Sequence, residues 1–286
     1  MTDTIDGSMT EHEAAQVEAA NASGKQPVVF IHGLWLLPSS WDRWATLFEE
    51  AGYAAVTAGW PDDPETVEEA NEHPEVFAHK KVGMTADHIA RGVIKSLDKR
   101  PAIIGHSIGG LLVQMLAGRG IASVTVAIDP GPFRGVLPLP YRLIRATEPV
   151  WHNPANHHRA VPLTFEQFRY GFANAVDENE AKRLYETFAV PASGTPIFQA
   201  ATANLNPLTE AKVDTENPDR GPLLVISGGM DNTVPPAVAK SAYKRQSRNV
   251  STTEIIDFAD RGHALVIDDG WREVADASLA FVRRFV

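Results

Sequence analysis

Four short stretches constrain this chain more than anything else in it: Val28-Val29-Phe30-Ile31, Ala102-Ile103-Ile104, Val124-Thr125-Val126-Ala127-Ile128 and Leu223-Leu224-Val225-Ile226. Each is an unbroken apolar or β-branched run bounded by Gly, Pro or Asp, and too short for a helix. A strand with one wet face alternates apolar with polar residues. Strands that do not alternate are covered on both faces, as in a parallel sheet between helices. A last strand is expected at Thr253 to Phe258. Segments of helical period separate the runs. Trp41, Trp44, Ala45 and Phe48 share one face, with Ser39 and Asp42 spaced as a capping box and Gly52 as the stop. A second helix is expected from Thr85, burying Ile89, Val93 and Leu97, and a third carries Ile108, Leu111, Leu112 and Met115. The alternation predicts an α/β fold with a mostly parallel central sheet and flanking helices.

From about Phe133 to about Pro218 the alternation lapses into Pro, Asn, aromatics and helical stretches without a convincing strand. The expected organisation is therefore a core of residues 25–132 and 218–286 with an inserted cap at 133–217. Residues 1–24 carry five acids before the first basic residue, Lys25, and read as a flexible, solvated acidic tail with some helix. A secretory signal starts basic and then turns apolar, so this start predicts a cytoplasmic protein. No apolar run approaches the roughly 18 residues of a membrane span. The net charge of −10 supplies no positive field for nucleic acid or an anionic membrane. With no cysteine among 286 residues, disulfides, thiolate catalysis and cysteine zinc sites are excluded. Chemistry falls to Ser, Asp, Glu or His.

Gly105-His106-Ser107-Ile108-Gly109-Gly110 follows one predicted buried strand and opens a predicted helix. This is the setting of a nucleophile elbow, a turn so tight that small residues are needed two positions either side of the serine. A serine hydroxyl is a poor nucleophile until an imidazole takes its proton and a carboxylate fixes that imidazole's tautomer. The expected acid is Asp231, in Gly228-Gly229-Met230-Asp231-Asn232-Thr233-Val234-Pro235 after a late strand. Asp129, which ends the strand at Val124 to Ile128, is the alternative. The expected base is His263, in the glycine-hinged loop Asp260-Arg261-Gly262-His263.

Through His32-Gly33, GHSIGG, GGMDNTVPP and GHALV, the chain resembles the α/β-hydrolase superfamily over residues 27–286, the cap excepted. The order Ser107, Asp231, His263 is that superfamily's order. The resemblance implies an oxyanion hole from the backbone N–H groups of Ile108 and Leu34, with Trp35 as the fallback for the second donor. It also implies a shortened sheet, because the acidic N-terminus offers no candidates for the two strands that usually precede His-Gly.

Several other residues have a plain reading. His106 packs, its side chain directed away from Ser107. His152, His157 and His158 are surface histidines that lack the carboxylate spacing of a metal site, so neither metal nor cofactor is expected. Asp257, Asp260, Asp268 and Asp269 are solvated or cap loops. Trp35, Phe133, Tyr141, Trp151 and Phe168 are the candidates for the pocket, beneath a cap also rich in Phe165 and Phe172. The expected activity is cleavage of a carboxylic ester of a small, largely apolar molecule through an acyl-enzyme on Ser107. Rivals are a slow-turnover ligand receptor on the same fold, and an acyltransferase, lactonase or C–C hydrolase using the same residues. The sequence leaves the oligomeric state open.

Overall fold

The computed structural model describes residues 9–286. Its strands are β1 (Gln26–Ile31), β2 (Tyr53–Ala58), β3 (Ala102–His106), β4 (Val124–Ile128), β5 (Ala160–Val161), β6 (Ala192–Ser193), β7 (Leu223–Gly228) and β8 (Thr253–Phe258). Six of them form one sheet in the order β2-β1-β3-β4-β7-β8, every neighbouring pair parallel. The four unbroken runs are its centre. β1, β3, β4 and β7 are buried almost throughout, as strands covered by helices on both faces must be. Phe30, Trp41, Trp44 and Phe48 pack together with ring centroids 5.1–6.4 Å apart, edge to face in every pair but the tilted Phe30–Trp41. Helix Ile108–Gly118 leaves β3 with every residue buried against β3 and β4.

Three local expectations change. Among the described residues of the segment expected to be a flexible tail, Glu11–Ser23 form a docked helix, α1. Residues 1–8 of that segment lie outside the described residues. Thr10 and Glu13 make a reciprocal capping box, and Gly24 ends the helix at φ 63°. Only Val17 and Ala20 supply apolar contact; polar groups do the rest. Glu13 is buried and accepts from Gly59 N–H at 3.0 Å, while Gln16 Oε1 accepts from Thr57 N–H on β2 at 2.9 Å. A helix docked by hydrogen bonds carries little apolar periodicity, so it reads as solvated. The capping box at Ser39 does not form. Pro38–Trp41 wind a short 3-10 turn instead, and the helix Asp42–Glu50 begins behind it. Finally, the helix placed from Thr85 starts at Val82, because the Thr85 hydroxyl bonds back to Lys81 O at 3.0 Å instead of capping.

The chain between β4 and β7 forms the cap, short helices plus the two-residue antiparallel pair β5–β6. It is sewn to the loops at the C-terminal ends of β7 and β8. Asn232 Nδ2 donates to Tyr170 O, Thr233 Oγ1 to Gly171 O and Ala264 N to Phe172 O, at 2.9 Å each, and Asn174 Nδ2 donates to Met230 O at 2.8 Å. No helix among the described residues is long and apolar enough to cross a membrane.

Candidate active site

Ser107 sits between β3 and its helix at φ 58° and ψ −122°, a conformation a non-glycine residue holds only when its surroundings enforce it. The crowding that demands glycine is measurable on both sides. A Cβ on Gly105 would lie 2.3 Å from Gly109 O, and one on Gly109 would lie 2.2 Å from Ile31 O. Ser107 Oγ lies 3.0 Å from His263 Nε2, and His263 Nδ1 lies 2.6 Å from Asp231 Oδ2. With Nδ1–H donating to the carboxylate, Nε2 presents a lone pair to the serine O–H. The second oxygen of Asp231 accepts from the N–H groups of Thr233 and Val234 at 2.7 and 2.8 Å. Asp231 and His263 are fully buried.

Asp129, the alternative acid, lies fully buried at the end of β4 and accepts from Gly228 N–H at 2.7 Å. Burial, and then the Asp231 charge, push its carboxyl well above the usual range. His106 packs against His263, ring centroids 4.5 Å apart, and burial holds it well below the ordinary histidine value. Phe172 stands edge-on to the His263 ring at 4.7 Å. Among the described residues, the group of three potential metal ligands, His106, Asp129 and His263, is this same cluster. It shows no open face, since both His263 nitrogens are engaged with Asp231 and Ser107.

Ile108 opens its helix, so its N–H has no intrahelical acceptor. It and Leu34 line, with Ser107, a narrow cavity of about 40 Å³. Of the five aromatic candidates the cavity takes Trp35 and Trp151. Phe133 is locked in the core, Phe168 stacks on Phe172 at 5.0 Å, and Tyr141 points to solvent with 73% of its surface exposed. Aliphatic side chains do the lining instead: Leu139, Leu143, Ile197, Ala200 and Val234. Among the described residues no charged one lines the cavity, and the hydroxyls of Thr147 and Thr233 are spent on backbone carbonyls.

The group that sequence reasoning missed stands behind the His32-Gly33 turn. His32 Nε2 lies 2.9 Å from Asp63 Oδ2, and Lys80 Nζ lies 2.8 Å from Asp63 Oδ1, all three side chains at most 5% exposed. His32 Nδ1 meets Gly33 O at 2.8 Å. Both ring nitrogens thus face oxygen atoms. Burial raises the Asp63 carboxyl, but the hydrogen bond from His32 and the Lys80 charge outweigh it and hold it below its ordinary value. Residues 32, 63 and 80 are too far apart in sequence for any pattern to link them. Elsewhere, His152 and His158 are exposed and His157 half-buried, and Asp257, Asp260 and Asp269 are exposed. Asp268 is buried against Arg261, accepts from Gly270 N–H at 3.0 Å, and is raised to about 6 by burial.

A family model described as the alpha/beta hydrolase family matches residues 28–277. The chain belongs to this family. Solved structures of similar fold include a monoacylglycerol lipase from Paleococcus ferrophilus, 18% identical, covering 91% of this chain and 95% of that one, with a TM-score of 0.62. A pyrethroid hydrolase from Sphingobium faniae JZ-2 is 17% identical over 90% of this chain and 96% of its own, with a TM-score of 0.63. An extracellular alpha/beta-hydrolase from a Paenibacillus species is 19% identical over 90% and 98%, with a TM-score of 0.59. A search of curated proteins finds no match to this alpha/beta hydrolase.

Proposed function

We propose that this alpha/beta hydrolase cleaves a carboxylic ester of a small, largely apolar molecule through an acyl-enzyme on Ser107. The observation that carries the reading is the unbroken line from Asp231 Oδ2 through His263 to Ser107 Oγ, 2.6 and 3.0 Å long, which ends where Ser107 lines a cavity without charged residues. In the proposed reaction Ser107 Oγ attacks the carbonyl while His263 Nε2 takes its proton, and Asp231 stabilises the imidazolium that results. The N–H groups of Ile108 and Leu34 receive the charge developing on the carbonyl oxygen. His263 then protonates the departing alcohol, and water, activated by the same imidazole, releases the acid. A water needs about 10–15 Å³ of such space, so the cavity's about 40 Å³ holds an acyl group of only a few heavy atoms.

The test is intact-protein mass spectrometry during turnover of p-nitrophenyl acetate. The wild type is expected to gain one acetyl on Ser107, and Ser107→Ala to gain none while losing several orders of magnitude in kcat, up to the ~10⁶ seen where a triad member is removed. A Ser107→Ala variant that keeps a tenth of the wild-type kcat overturns the reading.

A further inference from the structure

We propose that Asp129 stands in the resting protein as a neutral carboxylic acid whose O–H donates to the Asp231 carboxylate, making it a positioning residue for the acid behind His263. Its role in turnover rests on the ester-hydrolase reading above; its protonation does not.

Asp129 Oδ1 accepts from Gly228 N–H at 2.7 Å. Oδ2 is buried with no hydrogen-bond partner, and Asp231 is the charge that acts most strongly on the side chain. Two ionised carboxylates have no attraction for each other; one proton between them turns the contact into a hydrogen bond. Asp231 already accepts three N–H groups, from Thr233, Val234 and His263. That marks it as the ionised partner, with a lone pair left for Asp129. Among the described residues, no cation is one of the charges acting on Asp129. The titratable groups that face Asp129 are His106 on β3, Asp231 and His263 in the adjoining loops, and Asp257 on β8. His106 is fully buried with neither ring nitrogen paired, the surroundings of a neutral ring. The backbone agrees with an enforced placement: Asp129 holds φ 39°, one of five non-glycine residues at positive φ among those described.

A carboxyl raised in the folded state binds its proton more tightly folded than unfolded. Stability therefore falls as pH rises from the unfolded carboxylate value of about 3.9 toward the raised folded value. Asp129→Asn keeps an acceptor for Gly228 N–H, puts an N–H donor where the acid O–H was, and removes the titration.

Infrared spectroscopy at pH 8 tests the proposal without substrate. The carbonyl stretch of a protonated carboxylic acid is expected in the wild type and in Ser107→Ala, and is expected to vanish in Asp129→Asn. Asp268, at about 6, is ionised by then. Melting curves supply the second readout: Asp129→Asn should gain in Tm relative to the wild type between pH 5 and pH 9. In ester turnover Asp129→Asn should retain most of kcat, whereas Asp129→Ala loses about tenfold or more in kcat with KM little changed. No protonated-acid band at pH 8, or parallel melting profiles for the wild type and Asp129→Asn, overturns the proposal. Loss of the ester reading alone would leave both of these measurements as predicted.

Discussion

Asp63→Asn tests whether the buried charges behind Gly33 hold the turn that presents Leu34. The carboxylate of Asp63 accepts from Trp60 N–H, His32 Nε2 and Lys80 Nζ at 2.8, 2.9 and 2.8 Å. An amide removes the charge from two of those contacts and confronts one donor with another. Breaking a buried ion pair on one side costs about 3–5 kcal/mol, chiefly because the partner, here Lys80 at 5% exposure, is left charged and dry. At about 2.1 cal/mol/K per residue, 286 residues unfold with an entropy near 0.6 kcal/mol/K, so the expected fall in Tm is about 5–8 °C. Asp63 also ties His32 to the turn. Displacing one oxyanion donor costs about 10²–10³ in kcat, and the loss should fall on kcat more than on KM. Calorimetry and p-nitrophenyl acetate kinetics read both effects. Lys80→Met should rescue part of the Tm lost in Asp63→Asn, because the double variant buries no orphan ammonium. A Tm within a degree of wild type together with unchanged kcat refutes the argument. Because the Asp63 carboxyl is depressed, the stability it supplies is present above its unfolded value and lost as acid carries the pH down through the folded one.

Asp231→Asn should leave the fold intact yet cost on the order of 10⁴ in kcat, since an amide favours the wrong His263 tautomer; a loss below tenfold would reassign the acid. Across p-nitrophenyl esters, kcat/KM should rise about fourfold per methylene only until the acyl group fills the space bounded by Trp151 and Ile197, and then stop or fall. A profile that keeps climbing to octanoate would show that the cap yields. Gly109→Ala should fail to accumulate as folded protein, because its Cβ meets Ile31 O at 2.2 Å and backbone cannot step aside; a soluble variant with wild-type Tm would contradict that packing.

The sheet was legible wherever burial on both faces suppressed alternation, which is why β1, β3, β4 and β7 could be read as unbroken runs. β2 could not. Its sequence, Tyr53-Ala54-Ala55-Val56-Thr57-Ala58, is half alanine, a residue with little preference for strands, and what makes it one is the register it finds against Gln26–Ile31. The docking of α1 was missed for the complementary reason. Its anchoring through Glu13 and Gln16 is polar, and polarity in a sequence looks the same whether its partner is water or a buried N–H.

The same asymmetry divides the candidate site. Ser107, Asp231 and His263 announce themselves because each sits in a turn whose backbone demands particular neighbours, and those demands are written within a few residues of it. The cavity wall makes no such demand. An aromatic in a cap has surface to bury and several places to bury it, so Phe133 and Phe168 went to the core, Tyr141 went outward, and small aliphatics on Thr195–Thr202 were left to face Ser107. Asp63 and Lys80 are harder still, since a buried ion pair is a bargain struck between residues that only the fold introduces. Residues that shape a turn leave local signatures, and Asp129 could be picked out by its place at the end of a strand; Asp63, which meets His32 and Lys80, becomes visible only once those partners are in place.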